Sequence, residues 1–140
     1  MVRWVVALGG ACVLAAAMAA CGGGSDKPAA VTPGVSDEEY LKVICSGTQG
    51  FSDALISQTT VDGIAKSIKD FIAAMNAVTP PSDLQAFHKD LLKYLDDSLK
   101  DPTSAVTRKR PQPPDKARQR LAAKEPSVPE CSKVHYFQTN

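Results

Sequence analysis

Tryptophan is almost missing from this 140-residue chain, and histidine nearly so. The single Trp, Trp4, lies near the start, aromatic side chains make up 6% of the sequence, and there are two His. So few rings argue against a single-strand nucleic-acid binder, which needs aromatic faces among its cations. Charge of one sign is lacking too: 16 Lys+Arg against 15 Asp+Glu leave a formal net charge of +1. A dedicated nucleic-acid binder is strongly basic, so nucleic acid is not an expected partner. Ten Pro and nine Gly fall short of a collagen-like or low-complexity chain. There is no G-x-S-x-G, H-E-x-x-H, P-loop or C-x-x-C pattern, which leaves no handle for nucleophilic, zinc-hydrolytic, phosphate or dithiol chemistry. The expectation is one small, non-enzymatic domain with no cofactor.

What is present begins with an address. Arg3 precedes an uncharged run from Trp4 to Ala20, the pattern of a secretory signal. At about 17 residues the run is at the lower limit for a spanning helix. Met18-Ala19-Ala20-Cys21 resembles the lipobox of bacterial lipoproteins. The resemblance implies cleavage before Cys21 and a diacylglyceryl group on that thiol. It also implies that residues 1–20 leave as the signal and that the chain is anchored extracytoplasmically, in a bacterial cell or outer membrane. Gly22, where an acid would favour retention, is permissive for outer-membrane sorting. Two acyl chains anchor stably where one does not, at about 0.8 kcal/mol per buried methylene. An uncleaved anchor, or ordinary cleavage near Ala17-Met18-Ala19 that leaves Cys21 free, are the competing readings. Residues 21–35 carry the lipidated Cys and a Gly, Ser, Pro and Ala tether without periodicity, with a span of roughly 20 Å.

Cysteine arithmetic follows. Cys12 leaves with the signal and Cys21 is taken by lipid, so Cys45 and Cys131 remain. Two thiols in an exported protein usually pair. The loop between them, about 85 residues, makes the entropic stabilisation large, roughly 4–5 kcal/mol. Two alternatives stand beside the disulfide: free thiols, and a metal site in which Cys131 and His135 join Cys45 and His88.

The periodicity of residues 36–140 predicts helices over about 36–58, 61–78, 82–100 and 115–124. Ser36-Asp37-Glu38-Glu39 is a capping box, and the first stripe runs Tyr40, Val43, Ile44, Gly47, Phe51, Ala54, Leu55. Gly47 and Gly50 signal a close helix crossing or a kink. Thr59-x-x-Asp62 is a weaker box before a second stripe: Val61, Ile64, Ala65, Ile68, Phe71, Ile72, Met75, Val78. Thr79-Pro80-Pro81 closes it. Leu84, Phe87, His88, Leu91, Leu92, Leu95 and Leu99 form the third stripe. So short a connection folds helices two and three into an αα-hairpin. Ala117, Leu121 and Ala122 point a short fourth helix inward. Val134, Tyr136 and Phe137 pack back near Cys131 or form a short strand. The fold class is all-α, a small three- to four-helix bundle with a disulfide-tethered C-terminal tail. The run Thr79-Pro80-Pro81-Ser82-Asp83-Leu84, with Phe87-His88 and Leu91-Leu92, looks like the hairpin of small uncharacterised helical lipoproteins. That likeness implies no activity.

Three groups of residues are functional candidates. His88 lies on the apolar stripe, either as a pocket ligand or as a ring that covers the core and bonds a neighbouring helix. Basic residues gather late: positions 36–101 hold eleven acids and six bases, positions 102–140 eight bases and three acids. Arg108, Lys109, Arg110, Lys116, Arg118 and Arg120 therefore form a candidate patch for anionic head groups, an acidic envelope polymer or a protein partner. They equally suit internal neutralisation of the acidic helices. Asp96, Asp97 and Asp101 could hold a hard cation but lack a calcium-loop pattern, and Arg108 or Lys109 is placed to answer them. No metal is expected. The leading expectation is a membrane-anchored binding or interaction module. A small-ligand or metal carrier with a pocket near His88 is the alternative, and a membrane-surface element is the third.

Overall fold

The computed structural model describes residues 33–57, 60–102, 105 and 107–138. The lipobox, Cys12, Cys21 and most of the tether lie outside these residues. Four α-helices form: α1 (Asp37–Ser57), α2 (Val61–Asn76), α3 (Gln85–Lys100) and α4 (Asp115–Lys124). A 3-10 turn, Ser82–Leu84, leads into α3, and two more, Glu125–Ser127 and Pro129–Cys131, follow α4. Among the described residues there is no strand. None of their helices is long and apolar enough to cross a membrane.

The start of α1 is a complete capping box. The Glu39 N–H donates to Ser36 Oγ at 3.2 Å, and the Ser36 N–H donates to Glu39 Oε2 at 3.1 Å. Two otherwise orphaned donors are thereby satisfied. At α2 the cap sits one position later than the sequence pattern suggests. Thr60 Oγ1 accepts from Gly63 N–H at 3.3 Å, while Thr59 lies outside the described residues. Val61, placed on the apolar stripe by its spacing, is 56% exposed.

α2 packs against both α1 and α3. Short connections make each consecutive pair antiparallel. The α1–α2 crossing is tight at one point: a Cβ on Gly47 would overlap the Phe71 ring. Of the two roles open to this glycine, close approach is the one realised.

The core joins Tyr40, Leu41, Ile44 and Cys45 of α1 to Ile68, Phe71 and Met75 of α2. Leu84, Phe87, Leu91 and Leu95 add the third wall. Leu41 and Cys45 extend the α1 stripe sideways, because the C-terminal region covers a second face of α1. There the disulfide joins Cys45 to Cys131, so both sulfurs are committed to each other and not to a metal. Tyr136 and Phe137 are buried under the same cover. They sit edge-on to Phe87, with ring centroids 6.2 and 5.8 Å away. The tail takes the packed alternative, as turns. One carboxylate goes in with it: Glu125 is fully buried, and its Oε1 accepts from the Phe137 N–H at 2.8 Å.

The packed body starts slightly before the first helix. The Val35 N–H donates to Thr79 O at 3.0 Å, and Gly34 lies so close to Pro80 that a Cβ has no room. The tail of the tether is thus already docked on the α2–α3 connection.

Candidate functional site: a pocket under an arginine-bearing strap

The six late basic residues go to different places. Arg120 sits at the N-terminal end of α1, where its Nε donates to Asp37 Oδ2 at 2.8 Å and its Nη1 to Asp83 Oδ2 at 2.7 Å. Lys124 joins it, 2.7 Å from Glu38 Oε1 and 3.3 Å from Asp37 Oδ2. These contacts hold the Asp83 and Glu38 carboxyls below the usual range, through the Arg120 and Lys124 hydrogen bonds respectively. This end of the molecule is the internal neutralisation that the opposite charges of the two halves allow. Arg118 lies 3.8 Å from Asp115, while Lys109 and Lys116 are exposed.

Arg108 and Arg110 lie at the other end of the bundle. Asp83 and Asp97 mark the two ends of one helical rod, about 20 Å apart along its axis. Arg108 reaches Asp97, at 3.8 Å. That carboxylate also receives Lys93 at 2.6 Å and Lys100 at 3.5 Å. The Lys93 hydrogen bond first, then charge, pulls the Asp97 carboxyl below its ordinary value. Ringed by cations, Asp97 is no candidate for a cation ligand. Among the described residues no three His, Cys, Asp or Glu side chains converge as a metal site.

A strap formed by Ala105 and residues 107–111 carries these two arginines and is tied at Ala105 and at Pro111. The Tyr94 hydroxyl donates to Ala105 O at 3.1 Å, and the Tyr136 hydroxyl to Pro111 O at 3.2 Å. Burial pushes the Tyr136 phenol upward, so it stays a donor. Arg110 rests over the Tyr136 ring, 5.0 Å from its centroid. Beneath the strap is a pocket of about 320 Å³, walled by Phe51, Leu55, Phe71, Leu91, Leu95 and Tyr136. Thr48 also lines it, and its Oγ1 is buried without a hydrogen-bond partner. A second, wider groove of about 640 Å³ runs along α1 and α2 over Gly47, Gly50 and Phe71. Comparison with family models, with curated proteins and with solved structures returned no match.

His88 lines neither of these. It is 8% exposed, and its Nδ1 lies 3.1 Å from the Tyr40 hydroxyl. The ring therefore covers the core and bonds a neighbouring helix. Burial lowers the imidazole below its ordinary 6.5 and raises the Tyr40 phenol. A neutral imidazole then faces a neutral phenol at pH 7. Below pH 6.5 the unfolded chain binds a proton that the folded one resists. The contribution to stability is thus complete above that pH and lost as pH falls toward the folded value. The expected result is a urea midpoint that drops between pH 7 and pH 5. The drop should be smaller in His88→Gln; equal slopes in the two proteins would discard the assignment.

The sequence put Arg108 and Arg110 in a patch, but the pocket beneath them was not foreseen. Its walls come from three separate stripes. The one available signal was the pair of tyrosines, Tyr94 beside the third stripe and Tyr136 in the tail, each a ring with a polar tip.

Proposed function

We propose that this chain is an extracytoplasmic bacterial lipoprotein, held to the membrane by a diacylglyceryl group on Cys21, whose helical domain is a non-enzymatic binding module. The lipobox-like Met18-Ala19-Ala20-Cys21 supports the anchor. The Cys45–Cys131 disulfide supports an oxidising compartment. The observation that carries the binding role is the pocket under the strap: apolar walls, a few convergent polar groups and a rim held by fixed hydrogen bonds. Such pockets are the usual form of a small-ligand site. Val35 is bonded to the α2–α3 connection, at the end of the bundle away from the strap.

The intact mass of the protein purified from bacterial membranes tests this reading. The expected species begins at Cys21 and carries two ester-linked acyl chains. Cys45 and Cys131 should alkylate only after reduction. A chain that keeps residues 1–20, or one that lacks lipid, rejects the anchor.

A further inference from the structure

We infer that the pocket walled by Phe51, Leu91 and Leu95 takes a neutral, predominantly hydrocarbon small molecule and excludes ions of either sign. This names the ligand class for the binding-module reading and rests on it. Three observations carry the inference.

The first is lining. Phe51 and Leu55 of α1, Phe71 of α2, and Leu91 and Leu95 of α3 meet the Tyr136 ring around one space. Apolar side chains therefore face a guest from three helices and the tail. Such a guest loses water on several sides at once, and the gain grows with the hydrocarbon surface that it buries.

The second is that the polar groups converging on the pocket are spent on the protein itself. The Tyr94 hydroxyl donates to Ala105 O and the Tyr136 hydroxyl to Pro111 O. Neither guanidinium is free: Arg108 lies 3.8 Å from Asp97, and Arg110 rests over the Tyr136 ring. Thr48 Oγ1 is buried in the wall and presents no open surface. A charged group would stay in water at the mouth and gain nothing, or enter without a partner. An unpaired buried charge costs far more than an apolar body recovers.

The third is size and fixity. A volume of about 320 Å³ lies at the lower end of small-molecule sites, which run from about 300 to 1,000 Å³. Phe71, Leu91 and Leu95 belong to the packed core, and the two tyrosine bonds are made before any ligand arrives. A preformed wall lowers the entropy lost on binding.

The probe is phenyl(trifluoromethyl)diazirine, neutral and photoreactive, used beside its ring-carboxylate and ring-aminomethyl analogues, which add one charge each to the same ring. The full-length chain, in vesicles of phosphatidylcholine, is irradiated with each at equal concentration and mapped by peptide mass spectrometry. The neutral probe should label the peptides that hold Phe51 and Leu91, and excess toluene should suppress that label. Label taken up from lipid does not saturate, so suppression by toluene separates the two. The charged analogues should label these peptides less, by about tenfold. Ser52→Phe fills the pocket from a half-buried wall position, and Leu55→Trp does so one turn further along α1. Each should abolish the suppressible label, with circular dichroism melts reporting that the variant is folded.

Equal labelling by either charged analogue keeps the site and rejects the neutral class. Suppressible label confined to other peptides, or unchanged in both variants, overturns the site. The intact mass of the same sample reports lipid on Cys21. Acyl chains without suppressible label reject the ligand and keep the anchored protein; suppressible label without acyl chains does the reverse.

Discussion

Replacing Cys45 and Cys131 together by alanine lowers the stability of the domain by about 3–5 kcal/mol. In a domain of this size that is a fall in melting temperature of about 15–25 °C. The two residues are 86 positions apart in sequence, so the bridge restricts nearly the whole domain in its unfolded state. On the chain-entropy account the effect approaches its upper range for loops of this length. The native state adds to it. Both half-cystines are buried, and alanine leaves small cavities where the sulfurs were. The region that the bridge secures has little regular structure of its own: two 3-10 turns of three residues each and the turn that carries Tyr136 and Phe137. Thermal melts followed by circular dichroism on the double variant, and on the unmodified protein with and without reductant, read the effect. The double variant avoids a lone thiol that would pair between molecules. A shift smaller than about 5 °C would mean that the aromatic cluster and Glu125 hold the tail without help.

That dependence on the tail explains where the sequence was legible. Helix positions followed from caps, prolines and spacing, since each is a local cause. Ser36 with Glu39 and the Thr79-Pro80-Pro81 break are examples, and the observed bounds lie within two residues of those read from periodicity except at the start of α3, where Ser82–Leu84 forms a 3-10 turn and the α-helix begins three residues later, at Gln85. The pairing of Cys45 with Cys131 followed from counting. Burial of Leu41 and Glu125 did not, because it depends on a segment with no period. A stretch such as Glu125-Pro126-Ser127-Val128-Pro129 announces that helix stops and nothing about what it covers. Glu125 reads as an exposed acid at the end of α4. It is buried because the returning chain presents the Phe137 N–H to it, a contact made by closure of the loop.

The candidate site was legible in its charges and hidden in its shape. Arg108 and Arg120 looked alike in sequence, as two cations in one basic segment. One closes a pocket near the C-terminal end of α3 and the other ties α4 to the acidic first turn of α1. Their separation arises because Asp37 and Asp83 lie at one end of the bundle and Asp97 at the other. Charge counting gives the total and no position. His88 shows the converse. Its place on an apolar stripe was read correctly, but only the partner across the helix, Tyr40, reveals that its role is to fill and bond.

The two glycines of α1 should respond to alanine with opposite signs. Gly47→Ala drives a methyl into the Phe71 ring. Phe71 is itself buried between helices, so it cannot swing into water, and the helices must separate. Overpacking of this kind costs about 1–3 kcal/mol. Alanine's better helix propensity offsets about 1 kcal/mol. The penalty belongs at the upper end, because the overlap reaches ring atoms close to the α2 backbone, and a net loss of about 2 kcal/mol is expected. Gly50→Ala meets only Ser67 Oγ, at 3.9 Å, which is ordinary contact. There the propensity gain stands alone, and stability rises by about 0.5–1 kcal/mol. Urea titrations of the two single variants measure both, and loss of stability in each would mean that neither glycine marks the crossing. Phe71→Leu in the Gly47→Ala background should recover part of the loss, a coupling that a double-mutant cycle isolates. Phe71 also forms part of the wall of the pocket under the strap. Displacing its ring changes the shape of that pocket, which connects the missing side chain at one helix crossing to the cavity on the far side of the same ring.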